Sequence, residues 1–165
     1  GGSDHQNLTF FVLKAIDKSK LDFCCDVILS SAFFDRKHIE NQVKKLKHKI
    51  KIFYDLKSLI EPLKQADLAI TSGGNTQFDR LCLGVPGIVV NQLLHQTETS
   101  QKVMDYGATL DLGYYKYVSE QYLLNQFDNL MLNQSSRKKM SEKGKNLVDG
   151  KGVYRVSEII VDACK

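Results

Sequence analysis

Apolar positions along this chain follow two alternating rhythms. Phe23 to Ser30, Ile50 to Tyr54, Leu68 to Thr71, Ile88 to Val90 and Ala108 to Leu112 are short, nearly continuous apolar runs. Runs of that kind are expected of strands covered on both faces. Between them the apolar residues recur at helical spacing. In Leu8 to Lys18, Leu8, Phe11, Val12, Ala15 and Ile16 share one face, although Thr9 to Leu13 is also rich in β-forming residues. Asp35 to Lys49 places Ile39, Val43 and Leu46 inward. Ser58 to Gln65, Asn75 to Gly84 and Glu98 to Tyr106 read as further helices. Three closing helices are predicted over Ser119 to Leu132, Ser135 to Leu147 and Gly152 to Ala163. Expected caps are Asp4 or Asn7 for the first helix, Ser119 for the first closing helix, and Ser135 or Ser136 for the second.

Strands that alternate with helices predict an α/β fold: a doubly wound parallel sheet with helices on both faces, in one domain over residues 1–165. Ligands of such sheets bind outside the carboxyl ends of the strands. The chain opens at a glycine turn, Gly1-Gly2-Ser3-Asp4, where such a domain ordinarily opens with a strand. The expectation is therefore the later part of a longer polypeptide, with a cloning remnant as the alternative.

Composition narrows the class. With 42% hydrophobic and 25% charged residues the chain is an ordinary globular one, and no apolar run approaches the roughly 20 residues of a membrane span. A net charge of +4 permits an anionic ligand without arguing for nucleic acid. The basic run Lys44 to Lys49 reads as a solvated helix end. Cys24, Cys25, Cys82 and Cys164 lack metal-ligand spacing. They read as reduced thiols of a cytoplasmic protein, with Cys24 and Cys25 as small core residues of a strand. No metal and no cofactor is expected.

The stretch that carries candidate chemistry is Ala66 to Arg80: a buried strand, the turn Ser72-Gly73-Gly74, and a helix that begins near Asn75. A helix start leaves backbone N–H groups unpaired where the helix dipole favours negative charge, which suits a phosphate or diphosphate. Paired glycines let an anion approach the backbone. Asp79, one turn into the helix, is placed to accept from ribose hydroxyls. The plainer alternative is that the glycines only make a turn and Asp79 is a first-turn acid. In the polar loop Asn91 to Thr97, His95 is a weak catalytic candidate or an exposed loop residue, and Gln92 and Asn91 are lesser candidates. His5 is placed to point at the phosphates from the first turn. His38 and His48 read as surface positions.

Taken together these motifs resemble the C-terminal half of a GT-B-type UDP-sugar enzyme. The resemblance is to the UDP-sugar hydrolase of pseudaminic-acid synthesis and the spore-coat polysaccharide synthesis proteins, and more distantly to the N-acetylglucosaminyltransferase of peptidoglycan synthesis. It covers about Gly1 to Gly113 and rests on Gly1 to Asp4, Asp55-Leu56-Lys57, Gly73-Gly74-Asn75-Thr76-Gln77-Phe78-Asp79, Leu83-Gly84-Val85-Pro86 and His95-Gln96. It implies a Rossmann-like GT-B C-terminal domain. Gly73, Gly74, Asn75 and Thr76 would hold the diphosphate and Asp79 the ribose. Leu56 would meet the base, His95 and Gln96 would face the diphosphate or sugar, and Gly2 and Ser3 would approach from the other side. Two departures stand out: an aspartate replaces the family's glutamate at Asp79, and His95 stands where the hydrolase has asparagine. The implied ligand is UDP or a UDP-sugar. The implied partner is an N-terminal domain or partner chain that carries the catalytic base. Hydrolysis in surface polysaccharide or nonulosonic-acid synthesis is the first functional expectation and glycosyl transfer the second. A non-catalytic nucleotide-binding partner subunit is the third.

Overall fold

The apolar runs form five parallel strands: β1 (Cys24–Leu29), β2 (Lys49–Tyr54), β3 (Ala69–Thr71), β4 (Gly87–Asn91) and β5 (Leu110–Tyr114). They alternate with α1 (Leu8–Ile16), α2 (Arg36–Val43), α3 (Ile60–Gln65), α4 (Asn75–Leu83) and α5 (Leu94–Tyr106). Three helices follow: α6 (Glu120–Leu132), α7 (Gln134–Leu147) and α8 (Gly152–Ala163). The structure, a computed structural model, describes residues 4, 6–33 and 35–164. Gly2, Ser3 and His5 lie outside the described residues.

The strands pair in two groups, β1 with β2 and β3–β4–β5, rather than in one continuous sheet. A doubly wound sheet places its first strand at the centre, between its second and its fourth. β1 and β2 fit the second and third positions of that order, and β3 to β5 the fourth to sixth. A strand at the first position is not among the described residues. A single apolar core nevertheless spans both groups. Val27 and Leu29 of β1, Ile88 and Val90 of β4, Leu13 and Ile16 of α1, and Leu123, Phe127 and Leu130 of α6 belong to it. All of β4 is buried, as its unbroken apolar run predicts for a central strand.

Several local expectations are corrected. α2 ends at Val43, short of Lys49, because side chains from elsewhere capture the basic segment that follows it. Asp17 Oδ1 accepts from the N–H groups of Lys47 (2.9 Å) and His48 (3.1 Å), and Lys47 Nζ donates to Ser19 O (2.6 Å). That capture draws the chain out of the helix and into β2. His48 is consequently enclosed rather than a surface residue. Its Nδ1 is 3.1 Å from Asp17 Oδ1, its Nε2 is 3.0 Å from Leu21 O, and its ring stacks on Phe23 at 4.1 Å. Cys24 is exposed and Cys25 only partly buried, since β1 gains cover toward Val27 and Leu29. Burial still pushes the Cys25 thiol up to about 11.

Asp4 caps α1, accepting from Leu8 N (2.8 Å) and Thr9 N (2.7 Å), and Ser119 caps α6 through Tyr122 N. α7 is capped by Asn133, whose side chain accepts from Ser136 N at 2.9 Å, and not by Ser135 or Ser136. α8 is exposed along its length, including Val153, Tyr154, Val156, Ile159, Ile160 and Val161.

Candidate functional site

Parallel strands that each feed a helix bring the helix N-termini to one edge of the sheet. Here β3 runs through Ser72-Gly73-Gly74 into α4, and β4 runs through Gln92-Leu93 into α5. The residue preceding α4 is Gly74, in extended conformation, and among the described residues no side chain caps the helix. Gln77 N donates to Gly74 O at 3.0 Å, and among the described residues the N–H groups of Asn75 and Thr76 at the helix mouth have no capping acceptor. These are the donors an anion would use.

The expected loop Asn91 to Thr97 is shorter than its polar composition suggests. Asn91 ends β4 and is fully buried, and α5 starts at Leu94. His95 and Gln96 therefore lie in the first turn of a helix. Gln96 Oε1 accepts from the N–H groups of Gln92 (3.0 Å) and Leu93 (3.2 Å), so its own side chain closes the start of α5. With Oε1 held there, the Nε2 end faces the glycine turn, 3.6 Å from where a Cβ on Gly74 would stand. His95 is exposed and beside it.

Gly73 lies against a buried polar chain. A Cβ at this position would be driven into Asn91 Oδ1 and Ser100 Oγ and would come within 3.1 Å of Gln96 Cβ, so the turn tolerates only glycine there. Beneath it, Ser100 Oγ donates to Asn91 Oδ1 at 2.9 Å, and Asn91 Nδ2 donates to Asp111 Oδ1 at 2.8 Å. The same Asp111 oxygen accepts from Gly113 N at 2.9 Å. Burial pushes the Asp111 carboxyl above its ordinary range, while the Gly113 and Asn91 hydrogen bonds pull the other way. Ser100 and Asp111 carry no motif in the sequence. Only the apolar run of β4 ending in a polar Asn91 hints that something is paired there.

Asp79 is exposed on the other flank of α4, and its carboxylate has no protein partner among the described residues. It borders a cleft of about 370 Å³ shared with Ser58, Leu59, Ile60, Leu63, Cys82 and Leu83. The cleft is walled largely by apolar side chains of α3 and α4. Leu56 is exposed, two residues before Ser58. Asp55, which precedes it, has a positive φ of 53° and is held by Arg36 Nη2 at 2.7 Å. The structure thus brings Gly73, Gly74 and Gln96 together at one helix mouth and sets Asp79 at the edge of the adjoining cleft. Among the described residues there is no group of three or more metal-ligating side chains, and no helix is long and apolar enough to cross a membrane.

The sequence profile of the Glycosyltransferase family 28 C-terminal domain matches residues 1–154. The spore coat polysaccharide biosynthesis protein SpsG of Bacillus subtilis is 35% identical over 164 residues, which is 98% of this chain and 48% of that protein. The UDP-N-acetylglucosamine–N-acetylmuramyl-(pentapeptide) pyrophosphoryl-undecaprenol N-acetylglucosamine transferase of Leuconostoc mesenteroides is 29% identical over 119 residues, 69% of this chain and 32% of that one. Among solved structures, MurG of Acinetobacter baumannii superposes with a TM-score of 0.82 at 16% identity, covering 98% of this chain and 48% of that chain. That likeness is one of fold. The chain spans about half the length, or less, of these relatives.

Proposed function

The chain belongs to the glycosyltransferase family 28 C-terminal domains, and from that premise we propose that it is the donor-binding part of an enzyme that handles a UDP-sugar. The observation that carries this reading is the uncapped mouth of α4. Its unpaired N–H groups, the glycine turn and the Gln96 amide converge where a diphosphate would lie. Gly73, Gly74, Asn75 and Thr76 hold the diphosphate through their backbone, and Gln96 Nε2 adds a donor. Asp79 accepts from the ribose hydroxyls at the edge of the α3–α4 cleft, whose apolar wall suits a base. Leu56, exposed two residues before the cleft-lining Ser58, is assigned to the base, and His95, exposed on the first turn of α5, to the sugar side. Gly2 and Ser3, outside the described residues, are assigned to the ligand from the resemblance of Gly1 to Asp4 alone.

The chemistry proposed is cleavage of the bond between the anomeric carbon and the diphosphate oxygen. UDP leaves with the bonding electrons, and its growing charge is met by the α4 dipole and backbone donors. The acceptor and the base that takes its proton come from the rest of the longer polypeptide, or from a partner chain. Two relatives are named for polysaccharide synthesis and for transfer, which favours glycosyl transfer in surface polysaccharide synthesis over hydrolysis. Four free thiols suit a cytoplasmic setting.

Calorimetric titration of the full-length protein with UDP tests the site. Binding is expected, and Asp79→Ala should weaken it roughly tenfold, the worth of one hydrogen bond to a charged group at the low end of its range. An unchanged affinity in that variant removes Asp79 from the site. Incubation with a UDP-sugar and no acceptor separates the reactions, because steady release of free sugar would mean hydrolysis.

A further inference from the structure

The glycine turn has a built floor. Asn91, Ser100 and Asp111 come from β4, α5 and β5, each is buried, and their hydrogen bonds run in one direction. The Ser100 hydroxyl donates to Asn91 Oδ1, the Asn91 amide donates to Asp111, and Gly113 N–H donates to the same carboxylate oxygen. Each link fixes the orientation of the next. With its Nδ2 drawn to Asp111, the Asn91 amide can present only Oδ1 to Ser100 and to the turn above. Gly73 lies so close to Asn91 Oδ1 and Ser100 Oγ that no side-chain atom fits between them. The nearest neighbours of the turn are therefore two oriented polar atoms rather than adaptable alkyl groups. Burying such a chain costs free energy unless every member is satisfied, so an apolar floor would have been the cheaper way merely to fill this space.

We infer that Asn91, Ser100 and Asp111 are positioning residues that set the height and orientation of the Gly73–Gly74 turn for an anion. Gln96, which packs beside Gly73 with its Nε2 toward Gly74, is held at the same level. The set touches no ligand. It acts by holding backbone donors where a diphosphate needs them, so its loss reduces the gain in affinity that the diphosphate brings and leaves recognition of the nucleoside alone. This inference rests on the reading of the turn as a diphosphate site.

The test is the ratio of affinities for UDP and uridine, measured by calorimetry on the full-length protein together with its thermal midpoint. Ser100→Ala removes one oxygen and should lower the ratio about tenfold with uridine affinity little changed, while the midpoint falls by a few degrees because the same buried hydrogen bond is lost from the free protein. Asp111→Leu should lower it at least as far. Asp111→Asn, which keeps an acceptor for Asn91 and Gly113, should recover most of that loss. If Asp111→Leu does not fold, Ser100→Ala carries the test alone. A ratio unchanged in Ser100→Ala, or a loss shared equally by UDP and uridine, overturns the positioning role. A wild-type protein that binds UDP no better than uridine overturns the diphosphate reading itself, and the inference with it.

Discussion

At the scale of single residues the site depends on what is missing as much as on what is present. Gly73 has no Cβ because the space belongs to Asn91 Oδ1 and Ser100 Oγ, both locked in hydrogen bonds. Gly73→Ala should therefore displace the turn and abolish UDP binding in calorimetry. It should also lower stability by about 1–3 kcal/mol, as overpacking of a close-packed site does. A milder effect is expected at Gly74, where a Cβ would meet Gln96 Nε2 at 3.6 Å and Ser72 Oγ at 3.7 Å, ordinary contact distances. The two glycines look equivalent in the sequence, and only the packing beneath them tells them apart. Gly73-Gly74 and Asp79 stand out as candidates in the sequence because a glycine turn and a first-turn acid carry local signals, whereas Gln96 enters only through the resemblance, in a stretch expected to be a loop. Ser100 and Asp111 carry no such signal. A serine on a helix and an aspartate in a strand are linked through Asn91 by the sheet's long-range order, which no local spacing encodes.

At the scale of elements, strand and helix identities followed from apolar rhythm, and boundaries moved where a distant group competed for the backbone. α2 lost its last turn to Asp17, and α5 gained a turn because Gln96 closes its own N-terminus. The apparent loop at Asn91 to Thr97 thus divides between a buried strand end and a helix start, so its polar residues serve packing and capping as well as any ligand. Arg80 is another residue whose place no local pattern encodes: it is fully buried, donating to Val85 O (2.7 Å) and Thr109 Oγ1 (2.8 Å). Burial lowers its guanidinium to about 10. Gly87, at the start of β4, makes room for it: a Cβ there would stand 2.6 Å from Arg80 Cζ and 2.7 Å from Ala69 O. Since Ala69 O belongs to the neighbouring strand and cannot swing away, Gly87→Ala should cost about 1–3 kcal/mol in denaturant unfolding. Substituting Gly113, which has open space around its Cβ position but a φ of 86°, should cost less and only through backbone strain.

At the scale of the whole molecule, the contact that ties the two ends of the first α/β unit together is also the one that should respond to pH. Asp17, just past α1, holds Lys47 N and His48 N at the entry to β2, and His48 Nδ1 lies 3.1 Å from the same oxygen. Burial alone would raise the Asp17 carboxyl. The His48 and Lys47 hydrogen bonds, with the His48 charge, outweigh it and leave the group below its ordinary value of 3.8. A carboxyl whose folded value is depressed binds its proton more readily in the unfolded chain. Its stabilisation is complete above the unfolded value and disappears as pH falls through the folded one. Urea unfolding across an acid series should therefore show wild type more stable than Asp17→Asn at about pH 5. That margin should shrink steadily below about pH 4 as the wild-type carboxylate takes up its proton. Equal stabilities at every pH would mean that the backbone bonds at Lys47 and His48 form as well to an amide oxygen, and that charge plays no part in joining α1 to β2.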